Sequence, residues 1–146
     1  MEALLHEHGL AALFLLSFLA STLIPLGSEW LLVLILMDGG DLVAVVGVAT
    51  VGNTLGACTS YLVGMWGGTF LTQRILRVRD ADLERAGDIY RKYGMYSLLL
   101  TWVPFVGDPL CVLSGIFRIN ILLFVLLVFL GKLARYLVVA WGAAAV

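Results

Sequence analysis

The sequence predicts an all-α integral membrane protein built as an inverted repeat. Each half is a re-entrant hairpin followed by a transmembrane helix, with amphipathic surface helices between the halves. Three observations carry this. Of 146 residues, 62% are hydrophobic and 13% charged, and the mean hydropathy is +1.04. A soluble domain is about half apolar and roughly a quarter charged, and this excess is more than a core of such length can bury. Four apolar stretches stand out, Gly9–Met37, Leu42–Trp66, Gly94–Phe117 and Ile119–Val146, and two are broken at their centres by proline, glycine and an acid. Landmarks also recur: Pro25 and Pro104 stand 79 positions apart, as do Gly52-Asn53 and Gly131-Lys132. We read residues 1–146 as a single membrane domain. The first repeat is 9–66 (hairpin 9–37, spanning helix 42–66), the connector 67–93, and the second repeat 94–146 (hairpin 94–117, spanning helix 119–143).

The first eight residues carry Glu2 and Glu7 and no lysine or arginine. That is the wrong start for a cleaved signal peptide, so Leu10–Leu36 is expected in the mature protein. His6-Glu7-His8 is too short a tract to define a metal site, and no metal or other cofactor is expected. The first break reads Ile24-Pro25-Leu26-Gly27-Ser28-Glu29 and the second Val103-Pro104-Phe105-Val106-Gly107-Asp108-Pro109. Proline removes a donor and clashes with the preceding turn, while glycine permits turn geometry. Ser28 and Asp108 are suited to cap the half-helices that follow, and Pro109 to sit at the first helical position. Pro25, Gly27, Ser28, Pro104, Gly107 and Pro109 therefore mark two polar hairpin tips.

The spanning stretches 42–66 and 119–143 exceed the roughly 20 apolar residues that cross a bilayer core of about 30 Å. In the first, Gly52, Gly56, Ala57, Ser60, Gly64, Gly67 and Gly68 form a small-residue face, the signature of close helix packing. That face is also a candidate surface for a second copy of the chain. Cys58 and Cys111 are isolated in apolar surroundings and read as small filler. Trp30, Trp66, Trp102 and Trp141 read as interface or packing aromatics. In the connector, Leu83, Ala86, Ile89, Tyr90 and Tyr93 recur at helical spacing behind Asp80, a candidate cap. The basic connector and Arg118 fall on one side if both breaks are hairpins, and the positive-inside tendency makes that side cytoplasmic. A net charge of −1 gives no footprint for nucleic acid.

Glu29 and Asp108 are the sharpest candidates for function. An acid at the bilayer centre costs about 2.5–3.5 kcal/mol on insertion scales and so faces protein or water. Burial favours its protonated form, whereas helix N-termini favour the anion; the sequence leaves that balance open. Lys132 and Arg135 share a face of the last helix, with Glu29, Asp108 or a lipid phosphate as their partners. Asn53, placed like Lys132 in the repeat, can hydrogen-bond across the same interface or act as helix glue. No nucleophile constellation or phosphate-cradling loop is visible, so a non-enzymatic role is expected.

These residues resemble a known family. Pro25-Leu26-Gly27-Ser28-Glu29 is similar to the acidic first-hairpin motif of the DedA (SNARE-associated) membrane proteins. Gly52-Asn53-Thr54-Leu55-Gly56 with Tyr61 and Gly64 resembles their glycine-rich spanning helix. Lys92-Tyr93-Gly94 followed by Pro104, Gly107 and Gly115 resembles their second hairpin. The resemblance covers nearly the whole chain and fits the short YqaA-like branch. It implies re-entrant hairpins, residence in the bacterial inner membrane, and movement of a phospholipid or polyprenyl phosphate across the bilayer coupled to protons. Glu29 matches the family's embedded acid. The sequence departs at the second hairpin, where many relatives carry arginines around the proline. Here Thr101, Trp102, Val106, Gly107, Asp108 and Pro109 stand there instead. The residues alone also leave open a non-transporting scaffold and an enzyme acting on lipid phosphates.

Overall fold

The computed structural model describes residues 2–21, 28–71, 74, 79–103 and 107–145, and the elements among them are all helical. They are α1 (Glu2–Ala20), α2 (Ser28–Met37), α3 (Leu42–Leu71), α4 (Asp80–Tyr93), a 3-10 helix (Gly94–Trp102), α5 (Gly107–Ile116) and α6 (Ile121–Ala144). Two helices are long and apolar enough to cross a bilayer, α3 over Leu42–Gly68 and α6 over its whole length. The first extends slightly beyond the expected 42–66 and then turns at Gly68, whose φ of 55° favours glycine. Pro25, Gly27 and Pro104 lie outside the described residues.

The repeat spacing reappears in the backbone. α2 and α5 each have ten residues and start 79 positions apart, as do α3 and α6. The turns joining them match bond for bond. Asp38 N donates to Leu34 O, Gly39 N to Leu36 O and Gly40 N to Ile35 O. At the same offset Phe117 N donates to Leu113 O, Arg118 N to Gly115 O and Ile119 N to Ser114 O. Asp41 caps α3 through Ala44 N at 2.9 Å, and its counterpart Asn120 caps α6 through Leu122 N at 2.9 Å. Gly39 and Arg118, also counterparts, both have positive φ, 88° and 52°.

Contacts fix the relative directions of the helices. Asn53 meets Tyr136, and Tyr61 lies on Phe124 and donates to Ile119 O, so α3 and α6 are antiparallel. The C-terminal end of α2, at Leu36 and Met37, lies with Ala140 and Ala144 at the far end of α6. The C-terminal end of α5 leads directly into the near end of α6 and sits against Tyr61 and Met65 of α3. α2 and α5 therefore run outward to opposite ends of the bundle, with their N-termini at its middle. α1 and the 3-10 helix flank them. Gly52 receives α1 at Phe14 and Ser17, while Gly131, 79 positions on, receives the 3-10 helix at Thr101 and Leu99.

Several expectations are corrected. Residues 94–102, expected as the first arm of the second hairpin, form a 3-10 helix; it rises about 2.0 Å per residue against 1.5 Å in an α-helix, so nine residues reach further. Asp80 is itself helical: Arg79 occupies the cap position without a side-chain cap and pairs instead with Asp82 at 3.1 Å. Ser28 and Asp108 also lie within their helices, Pro109 is the third residue of α5, and the two polar side chains turn to partners on α6. Within the small-residue face, Gly52 and Gly56 pack against α1 and Gly64 against Val112 of α5, while Gly68 has nothing within 4 Å. Cys58 and Cys111 are free thiols packed in the α3–α5 region. Trp30, Trp66 and Trp141 are exposed on the outer surface, and the Trp102 side chain lies outside the described residues.

α4 rests Leu83 and Ala86 against Leu110, Val112 and Leu113 of α5, with Tyr90 stacked on Phe117 and its charged residues facing outward. The connector is thus amphipathic and seated at the α5 end of the bundle. The closest backbone approach is at Gly115, where a methyl group would collide with Tyr61 O. Gly115→Ala is expected to lower the thermal midpoint in detergent sharply, by an amount equivalent to about 2 kcal/mol or more. Gly142→Ala, with nothing within 4 Å, should leave it unchanged.

Candidate functional site

The five polar residues expected to carry function converge at the middle of the bundle. Lys132 stands near the centre of α6, is 2% exposed, and lies 3.7 Å from Asp108 Oδ1 at the start of α5. Arg135, almost one turn further, makes an ion pair with Glu29 at the start of α2. One face of α6 thus holds a cation against the inner tip of each of these two short helices. Isolated in hydrocarbon, either cation would be costly; paired, each is neutralised by an acid whose own helix N-terminus already favours negative charge.

Asn53 reaches the same level from α3. Its Nδ2 donates to Tyr136 Oη at 2.9 Å, and Ser28 Oγ bonds the same phenol oxygen at 2.9 Å. Tyr136 is fully buried and ties α2, α3 and α6 at one atom. Sequence reasoning missed it among the aromatics of an apolar helix. A signal was available: it lies one turn beyond Lys132, and a hydroxyl in a spanning segment needs a partner.

The surroundings are polar but incompletely paired. Ser17 Oγ, Ser21 Oγ, Asn53 Oδ1 and Thr54 Oγ1 are buried and without a hydrogen-bond partner among the described residues. Ser17 lies beside Tyr136 and Ser21 beside Asp108, each outside hydrogen-bonding geometry. The acids are the open side of the site: the side chains of Asp108 and Glu29 are 31% and 25% exposed, against 17% for Arg135. Among the described residues no cluster of three or more His, Cys, Asp or Glu side chains is placed to hold a metal ion. Pro25, Gly27 and Pro104 cannot be placed relative to this cluster, while Gly107 packs its backbone against Thr101.

A small helical protein with two apolar spanning helices and a buried charged cluster between them belongs to the integral membrane proteins. Within that class the VTT domain matches residues 24–143, and the chain belongs to this family, the DedA family. It is 39% identical to the inner membrane protein YqaA of Escherichia coli strain K12 over 132 residues, covering 90% of this chain and 88% of the relative. It is 35% identical to an uncharacterized protein of Haemophilus influenzae over 137 residues, covering 88% and 83%. No solved structure matches the chain. The protein resides in the inner membrane.

The two ion pairs should differ in their weight for stability. Asp108 neutralises the most buried cation, so Asp108→Asn should cost about 3 kcal/mol, at the low end for breaking a buried pair. Glu29→Gln, at the more open pair, should cost about 1 kcal/mol. Thermal or denaturant unfolding in detergent, with the Asp108→Asn/Lys132→Met double variant regaining most of the loss, checks this.

Proposed function

We propose that the protein is a transporter rather than an enzyme, moving a lipid, a phospholipid or polyprenyl phosphate, across the inner membrane, with protonation of an acid as the coupling step. The observation that carries this reading is the meeting of Glu29–Arg135 and Asp108–Lys132 at the middle of the bundle. A membrane bundle seldom holds four ionisable groups at that depth unless a pathway passes there. The cations are suited to a lipid phosphate, arginine through its bidentate fork. The acids compete with that phosphate for the cations, so protonating them would free Lys132 and Arg135 to engage a headgroup.

The reading includes an architecture, an inverted repeat of re-entrant hairpins with the α4 side cytoplasmic. It is supported by the bond-for-bond recurrence of the two turns and the opposed directions of α2 and α5. In inverted-repeat transporters the substrate site lies at the repeat interface near the midplane, formed by half-helix N-termini, which is where the charges gather here. Alternating access then moves one repeat against the other. A homo-oligomer would assemble through the outer faces of the spanning helices, since Gly52, Gly56 and Gly64 are packed within the chain.

A second reading, a non-transporting scaffold, draws on the fact that both acids already have partners. Lipid flux in proteoliposomes separates the two. Wild type should move fluorescent phospholipid or polyprenyl-phosphate reporters faster with a pH gradient. Glu29→Gln should fold normally and lose at least tenfold of that flux. Unchanged flux in Glu29→Gln removes Glu29 from the mechanism, and folded wild type that moves no reporter favours the scaffold.

A further inference from the structure

A seam of hydroxyls between α1, α3 and α6 takes no part in the ion pairs. Ser17 in α1 and Ser21 just past its last residue stand one turn apart on one face. α3 approaches that face closely: a Cβ on Gly52 would lie 3.2 Å from Ser17 Cβ, and one on Gly56 2.7 Å from Ser21 Cβ. Ser17, Ser21 and Asn53 are between 0% and 3% exposed, yet Ser17 Oγ, Ser21 Oγ and Asn53 Oδ1 find no partner among the described residues. Native interiors leave few buried polar atoms unpaired, and a cluster of them points to ordered water. A water molecule needs two to four polar partners, which these groups supply.

The ends of the seam carry the argument further. At one end Ser17 lies beside Tyr136, whose hydroxyl is bonded to Ser28, the neighbour of Glu29. At the other end Ser21 lies beside Asp108. The O–H groups thus run from Ser28, next to Glu29 in the chain, to Ser21 beside Asp108. The charged groups facing the seam are Glu29 from α2, Asp108 from α5, and Lys132 and Arg135 from α6; α1 and α3 contribute the neutral groups Ser17, Ser21 and Asn53.

We propose that Ser17, Ser21, Asn53 and Tyr136, with Ser28, hold ordered water in a proton relay that joins Glu29 to Asp108. In each passage a hydroxyl or water donates its proton forward and accepts one from behind. Only the carboxyls change state: one loses a proton, the other gains it, and the cluster keeps its net charge. Because α2 and α5 lead from the middle to opposite ends, each acid terminates the route from its own side, and the seam closes the gap between them. The proposal deepens the proton-coupled reading and rests on it for its use in transport.

Two measurements on the purified full chain test it. Ser17→Ala/Ser21→Ala removes hydroxyls that bond no described group, so a dry seam predicts a raised melting midpoint. A seam holding water predicts a lowered midpoint, together with loss of the buried-water O–H infrared bands identified in wild type by H2-18O substitution. In liposomes with an internal pH dye and an imposed potential, Tyr136→Phe and Ser17→Ala/Ser21→Ala should each slow proton entry at least tenfold. A raised midpoint, absent water bands in wild type, or undiminished proton entry in the serine double variant overturns the relay. Lipid flux with unaltered proton entry would sink the relay and leave the transport reading standing. Proton entry lost with the hydroxyls, where no lipid moves, would uphold the relay and sink the lipid reading.

Discussion

Lipid offers no hydrogen bonds and no counter-ions, so a lysine at the centre of a spanning helix can persist only where the same chain delivers an acid to it. Lys132 sets this requirement, and much of the architecture answers it. A full-length apolar helix would carry its acid through the hydrocarbon; a ten-residue helix starting at the middle of the bundle presents one at its first turn. α5 does this for Lys132 and α2 for Arg135. The two short helices, the turns that return the chain to the surface and the glycines that let neighbours close in all hold those acids at one level.

The two halves are alike in backbone and unlike in chemistry. Where α6 has Lys132, Arg135 and Tyr136, the positions 79 residues earlier in α3 hold Asn53, Gly56 and Ala57. The small residues admit α1 close to α3, and the large polar ones reach across from α6. The site is therefore built by asymmetry within a repeated frame, with both cations from one half and the amide from the other. Arg118 departs from the frame more simply, holding a positive φ where its counterpart is Gly39; nothing in the structure explains that choice.

Much of this was legible in the residues. Acids beside proline and glycine inside apolar runs draw the eye, so Glu29 and Asp108 stand out, and the spacing of Lys132 and Arg135 puts both on one face. Tyr136 was not legible as a hub because a tyrosine in a spanning helix is equally at home in packing; only its neighbours decide. The caps at Asp41 and Asn120 were hidden for a related reason: attention goes to charges inside apolar runs, and a cap sits just outside one. The 3-10 form of residues 94–102 follows from tertiary reach, to which local composition is blind. Ser17 and Ser21 looked like ordinary small residues, and their unpaired oxygens emerge only once α3 closes over them.

The placement of both cations on the last helix bears on how the chain is made. Glu29 leaves the ribosome 106 residues before Arg135 and Asp108 24 residues before Lys132, so each acid waits in the growing chain for its counter-charge. Both pairs can close only once α6 is present, so its arrival is the step at which the two acids are neutralised together.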